Sequence, residues 1–191
     1  MEIVLYPHPA LRWKSKPIRE IDAGLRATVR KMFELMYEAK GIGLAANQVD
    51  LPWRLFVLNL TGDPAQTDEE FVFINPEIIR RKGSQEGEEG CLSLPKLYGQ
   101  VRRAEEIVVQ AFDLEGNGFE VTLDDLGSRA VQHEADHLDG ILFTDRMSEM
   151  GQREVAPVLT DFEAQFRRQQ QLGKVPPDEN IKARLASIEP K

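Results

Sequence analysis

The stretch Gln132-His133-Glu134-Ala135-Asp136-His137-Leu138-Asp139-Gly140 decides how the rest of this chain is read. At roughly 100° per residue on a helix, His133 and His137 stand one turn apart and project from one face, close enough to share a metal ion. Glu134 lies on the flank of that face, where a carboxylate acts on a water at the metal without itself being a ligand. This is the physical content of an H-E-x-x-H pattern. Leu126, Ala130, His133 and His137 fall on one helical stripe, so the histidines take core-facing positions where leucine is the usual choice. Two buried imidazoles need partners, and a shared metal supplies one to each. Thr122 with Asp125 three residues later predicts a cap for this helix, and Gly140 suits the residue after its last turn. The plain alternative is a helix that carries two histidines by accident. The chain holds only 3 histidines, which makes that accident rare.

The 191 residues suffice for one domain with its own core. The composition is that of an ordinary soluble globular protein. With 24 Lys+Arg against 32 Asp+Glu, the net charge is −8. No Lys/Arg-rich block stands out, which argues against nucleic acid or a membrane surface as the primary partner. The single cysteine, Cys91, cannot form an intrachain disulfide and fits a reducing compartment, the cytoplasm. The first residues form no long apolar run of the secretory kind, and no stretch reaches the roughly 18 apolar residues of a membrane span.

Residues 3–6 read as an edge strand or extended arm stopped by Pro7 and Pro9. His8, between those prolines, reads as a surface loop residue. Residues 22–40 predict an amphipathic helix with Leu25, Val29, Met32, Phe33 and Met36 inward, Asp22 as cap and Gly41 at its end. The small residues of Gly41-Ile42-Gly43-Leu44-Ala45-Ala46-Asn47-Gln48 permit close backbone approach, but the Gly-Lys-Ser/Thr ending of a phosphate loop is missing. Gln48 is either a positioned amide donor or a solvated loop side chain, the commoner fate of a loop glutamine. Residues 53–60 and 71–79 predict strands, and residues 83–90 a glycine- and glutamate-rich loop. Residues 101–114 and 119–123 predict two more strands, joined by a hairpin turn at Glu115-Gly116-Asn117-Gly118. Residues 155–172 predict a polar helix broken by Pro176-Pro177. The tail beyond residue 143 carries equal numbers of acidic and basic residues, and its end is expected to be loosely held. Arg167-Arg168 on that helix is a candidate partner contact, against the plainer reading of a solvated face.

A catalytic site of this kind takes three protein ligands and one open position. A third histidine six residues after His137 would make a metzincin, but that position is Phe143. Glu149, Glu154 and Glu163 lie downstream, as the thermolysin pattern requires, in no distinctive context. The remaining candidate is Cys91, beside Gly90 in a tight loop before a proline. Its alternative is a small buried hydrophobe.

Three ordered stretches together resemble peptide deformylase: Gly41 to Gln48, Glu89-Gly90-Cys91-Leu92-Ser93, and Gln132 to Gly140. Tyr6-Pro7-His8-Pro9-Ala10-Leu11-Arg12 is similar to that family's opening, with His8 where Asp is often found. The resemblance runs from about residue 3 to residue 147, which divides the chain into a catalytic domain, 1–147, and a charged helical tail, 148–191. It implies an α+β fold, mixed or antiparallel strands around a central metal-binding helix, with an N-terminal amphipathic helix. It implies Cys91, His133 and His137 as metal ligands, ferrous iron as the metal, and zinc, nickel or cobalt as ions able to replace it. It implies Glu134 as the catalytic carboxylate, Gln48 and the Leu92 backbone N–H as oxyanion donors, and a supporting ion pair of Glu89 with Arg103. The implied reaction is hydrolysis of N-formylmethionyl polypeptides to formate and a free amino terminus. A close-packed wall of Gly41, Ile42 and Gly43 would exclude acyl groups larger than formyl, and Ile42, Leu126, Ala130 and the face of His133 are candidates for the methionine pocket. The rival readings are another H-E-x-x-H peptidase, a non-catalytic metal-binding module, and a thiol hydrolase using Cys91.

Overall fold

A computed structural model describes residues 1–190. Its strands are β1 (Gly43–Ala45), β2 (Leu55–Leu58), β3 (Phe71–Lys82), β4 (Gln85–Cys91), β5 (Leu94–Arg103), β6 (Glu106–Phe112) and β7 (Gly118–Asp124). All pair antiparallel, in a five-stranded sheet of order β1-β2-β3-β6-β7 and a separate β4-β5 hairpin. The helices are α1 (Ala23–Glu38), α2 (Asp125–Leu138), α3 (Phe143–Arg146), α4 (Glu149–Gln171) and α5 (Asp178–Ser187). The α+β class with antiparallel strands is the one the family resemblance implies.

β2, between β1 and β3, explains the layering. Leu55, Phe56, Val57 and Leu58 are apolar without a break and all buried, as a strand covered on both faces must be. Leu55 and Val57 join the inward stripe of α1, namely Leu25, Val29, Met32, Phe33 and Met36. Phe56 and Leu58 face the other way and pack with Ala130, Val131 and Leu138 of α2. The metal-motif helix therefore lies against the sheet, and the β4-β5 hairpin closes its other side. The Asp22 carboxylate caps α1 by accepting from Leu25 N at 2.7 Å.

Several expectations fail for physical reasons. The glycine- and glutamate-rich stretch at 83–90 is mostly strand, not loop. Glu89 fills its inward position because Arg103 and Arg129 neutralise it there. Gly90 lacks a Cβ where the Tyr98 ring crosses at 2.7 Å from where one would stand. The single strand expected over 101–114 is two. The chain leaves β5 at Ala104, whose N–H donates to Gln132 Oε1 and whose carbonyl accepts from Gln132 Nε2 and Ser128 Oγ of α2, so α2 pairs both backbone groups of Ala104 where the chain steps between sheets. Thr122 is not the cap of α2; it belongs to β7, and Asp124 precedes the first turn. The hairpin at 115–118 is present, organised by Asp113, whose carboxylate accepts from the Glu115 and Asn117 amides. Residues 3–6 are an extended arm rather than a strand.

The tail is docked, not loose. Ile181 and Leu185 of α5 are buried against Ala10, Trp13 Nε1 donates to Glu189 at 3.0 Å, and Trp53 Nε1 to the Ile188 carbonyl at 3.1 Å. His8 is correspondingly 8% exposed, under Phe166 of α4 rather than on the surface. No helix among the described residues is long and apolar enough to cross a membrane.

Candidate metal centre and active site

The last two turns of α2 carry His133 and His137 with ring centroids 4.9 Å apart. Cys91 ends β4 immediately before the two-residue turn Leu92-Ser93, which closes on the Cys91–Leu94 pair. That turn aims the sulfur at the helix, with Sγ 3.3 Å from His137 Nε2. One donor atom from each of Cys91, His133 and His137 lies within 4.8 Å of the others. The rival third ligands stand elsewhere: the Glu149 side chain is 91% exposed beside Arg153, and Glu163 accepts from Tyr6. Phe143, at the metzincin position, stacks on His133 at 6.2 Å instead.

This donor set fits one divalent ion. A thiolate and two imidazoles make three corners of a tetrahedron and leave the fourth open. His133 Nδ1 meets Glu89 Oε2 at 3.0 Å, which leaves Nε2 free and fixes the ring's orientation. Burial opposes charge on His133, but the Cys91 sulfur and the Glu89 carboxylate outweigh it and lift its pKa to about 10. Burial, reinforced by the neighbouring His133, holds His137 well below the usual imidazole value. Glu134 is 5% exposed; burial pushes its carboxyl up to about 7, and its Oε2 has no hydrogen-bond partner. A buried carboxylate oxygen without a donor, beside three convergent metal-binding atoms, suits a group that works on water at that centre.

Gln48 is 2% exposed, so the solvated-loop reading is wrong for it. Its Oε1 accepts from the Ala45 amide at 2.9 Å, which fixes the amide plane and turns Nε2 toward Cys91 Sγ at 3.4 Å and Ser93 Oγ at 3.3 Å. Leu92 sits in the facing turn. Gly41, Ile42, Gly43, Leu126 and Ala130 all line one cavity of about 660 Å³, together with Gln48, Cys91, Leu92, His133 and Glu134. Leu126 is 50% exposed there, so it is a cavity wall rather than the core residue its helical stripe suggested.

Glu89 and Arg103 form a bidentate pair, both bonds 2.9 Å, with each side chain 4% exposed. Burial alone would raise the Glu89 pKa, but His133 and Arg103 outweigh it and hold the carboxyl well below its ordinary range. Sequence reasoning missed three participants. Arg129 donates to Glu89 at 2.8 Å, and Asp136 takes the other side of Arg103 and both bonds of Arg146. Ser93 sets the Gln48 amide. Arg129 stands four residues before His133 and Asp136 three after it, so charged residues on the metal face of a buried helix were the available signal.

Gly43 bears on Glu134 directly. A Cβ there would lie 2.5 Å from Glu134 Oε1. Gly43→Ala should therefore push the carboxylate aside while leaving the fold intact, since only the end of a side chain has to move. The expected result is a thermal midpoint close to the parent's and a turnover number lower by about 10²-fold, the usual cost of misplacing a catalytic group by about 1 Å. Unchanged turnover would show that the carboxylate need not rest on this glycine.

Residues 1–153 match the family model of polypeptide deformylase. The chain is 45% identical to a peptide deformylase of Rhodopirellula baltica over 99% of this chain and 94% of that one. It is 53% identical to a peptide deformylase of Acidobacterium capsulatum over 76% of this chain and 85% of that one. A crystallographic peptide deformylase from Plasmodium falciparum superposes with a TM-score of 0.85 at 38% identity, covering 87% of this chain and 98% of its own.

Proposed function

The chain belongs to the polypeptide deformylase family, and from that premise we propose which of its residues carry the reaction. The protein is a hydrolase that removes the N-formyl group from the N-terminal formylmethionine of newly made polypeptides, releasing formate. It is a metalloenzyme with Cys91, His133 and His137 as the candidate site. We read those three as the ligands and Fe2+ as the ion they hold, with Zn2+, Ni2+ or Co2+ able to take its place. Thiolate and imidazole donors suit each of these. When bound, the ion supplies Lewis-acid polarisation and makes water acidic enough to attack near neutral pH.

Glu134 takes the proton of the attacking water and gives it to the departing amine nitrogen, so the formyl C–N bond breaks as the new amino terminus is protonated. The oxygen that becomes negative as water adds is held by Gln48 Nε2–H and the Leu92 backbone N–H. Support for Gln48 is its buried amide, locked by Ala45 and aimed at the Cys91 sulfur. Formyl has hydrogen where other acyl groups have carbon. The Gly41-Ile42-Gly43 wall, with Gly43 in contact with Glu134, leaves that position narrow. The methionine side chain lies against Ile42, Leu126, Ala130 and His133 in the shared cavity. Glu89 and Arg103 orient His133.

We divide the chain into a catalytic domain, 1–147, and a tail, 148–191. We place the protein in the cytoplasm, where formylated chains emerge, with transient ribosome contact and no nucleic-acid or membrane specificity of its own. Arg167 already pairs with Asp178 at 2.8 Å, which leaves Arg168 as the side chain of that pair offered to the ribosome.

The observation that carries the reading is the convergence of Cys91, His133 and His137 beside the buried Glu134 carboxylate, one of whose oxygens has no donor. The test is formate release from formyl-Met-Ala by protein purified without oxygen and assayed for metal. Turnover abolished by a chelator and restored by Fe2+, with acetyl-Met-Ala untouched, is the expected result. Turnover that survives the chelator would transfer the chemistry to Cys91 as a nucleophile.

A further inference from the structure

The two oxyanion donors are held by backbone that the N-terminal arm reaches. Val4 N donates to the Gln48 carbonyl at 2.8 Å, and Tyr6 N to the Ser93 carbonyl at 2.9 Å. One extended arm thus spans the turn that carries Gln48 and the turn that carries Leu92. The arm and the Gln48 turn are in their turn gripped by the tail, beyond the family-matched residues 1–153.

The first grip is Glu163 of α4, which accepts from Tyr6 Oη at 2.6 Å. It ties the arm to a helix that packs Val155, Leu159 and Phe162 beneath it. The second grip is Arg184 of α5. Its guanidinium donates to the Asp50 carbonyl at 3.2 Å and pairs with the Asp50 carboxylate. Asp50 ends the short 3-10 turn Ala46–Val49 that carries Gln48, and does so at φ 64°, a left-handed conformation that Asp adopts more readily than most residues other than glycine. Asp50 N donates back to the Asn47 carbonyl at 3.1 Å. Arg184 therefore fastens the residue that ends the same turn whose Gln48 carbonyl the arm holds through Val4. α5 is itself anchored by Ile181 and Leu185 against Ala10, so its guanidinium is presented from a seated helix rather than a free end.

We propose that the tail is part of the active-site scaffold, with Arg184 a positioning residue for Gln48 and Glu163 a positioning residue for the Leu92 amide. Neither touches substrate. Each works by removing freedom from a donor that must stand ready before charge develops, and preorganisation of this sort acts on the transition state far more than on the bound substrate. The inference rests on the reading of Gln48 and Leu92 as oxyanion donors.

The test uses the full metal-loaded chain with Arg184→Ala, Glu163→Ala and the double variant, each also placed in a Gln48→Ala background. Deleting an oxyanion donor costs about 10²–10³ in kcat. Loosening one costs part of that, so the double variant should lose about tenfold in kcat with KM within about twofold and metal content unchanged. Glu163→Gln keeps an acceptor for Tyr6 and should restore the parent rate. Glu189→Ala releases the Trp13 contact of the same tail without touching Asp50 and should leave kcat alone. In the Gln48→Ala background the Arg184 effect should vanish while the Glu163 effect persists. Amide exchange supplies a readout apart from activity: protection at Val4 and at the Gln48 turn should fall in Arg184→Ala, with the core unchanged. Equal kcat in the double variant and the parent would overturn the proposal, as would an Arg184 effect of full size without Gln48. Should Gln48→Ala alone keep its rate, the donor reading would fall first and the positioning role of Arg184 with it.

Discussion

Glu134→Ala is expected to keep its metal and its fold and to hydrolyse formyl-Met-Ala about 10²–10⁴ times more slowly, the usual worth of a positioned general acid–base. The same change should leave the thermal midpoint equal to or above the parent's. Glu134 is 5% exposed, one of its oxygens has no donor, and burial already pushes its pKa up to about 7. A carboxyl held this way works against folding, so removing it relieves the protein while disabling it. Opposite signs in activity and stability are what set a catalytic group apart from a structural one. Turnover within tenfold of the parent, at full metal content, would remove Glu134 from the mechanism.

Arg103→Ala should have the largest effect on stability. The guanidinium lies between Glu89 and Asp136, with side-chain exposures of 4%, 4% and 12% for the three residues. Without it, two buried carboxylates lose the charge between them. Breaking a buried pair in this way costs about 3–5 kcal/mol, which lowers the melting temperature of a chain this size by roughly 6–20 °C at about 2–4 °C per kcal/mol. Because Glu89 also orients His133, metal affinity should weaken by about 10- to 100-fold. Lysine is no substitute, since one ammonium cannot reproduce the fork on Glu89 and still meet Asp136. A melting temperature within 2–4 °C of the parent and an unchanged metal dissociation constant would show that Arg129 and Arg146 suffice by themselves.

The metal helix and α1 were legible because their chemistry is local. His133 and His137 repeat at helical spacing, and the α1 stripe is apolar at the same period. The β4-β5 hairpin was illegible because what buries Glu89 in a strand is Arg103 beyond the turn and Arg129 on another element. Charge in a short window reads as loop until its partners are known. The strand break at Ala104 is likewise set from outside, by Gln132 and Ser128 of α2. From its own window Gln48 stayed open between positioned donor and solvated side chain for the same reason, since the sequence does not show that Ala45 and Ser93 enclose its amide. The tail read as loose because its charge is balanced and its apolar residues are few, yet Ile181 and Leu185 are enough once Ala10 receives them.

The arm that crosses both donor turns has a consequence for how the molecule comes into being. Tyr6 meets a partner 157 positions further along the chain, and Trp13 one 176 positions further. As the chain emerges from its amino end, the backbone of the arm finds Gln48 and Ser93 early, while these two side chains wait for the tail. The sheet, the hairpin and the metal helix can assemble first, in the order of their synthesis. The tail's grip on the arm and on Asp50 is then the last act, and a chain stalled before residue 163 would hold all three candidate metal ligands and neither tail grip.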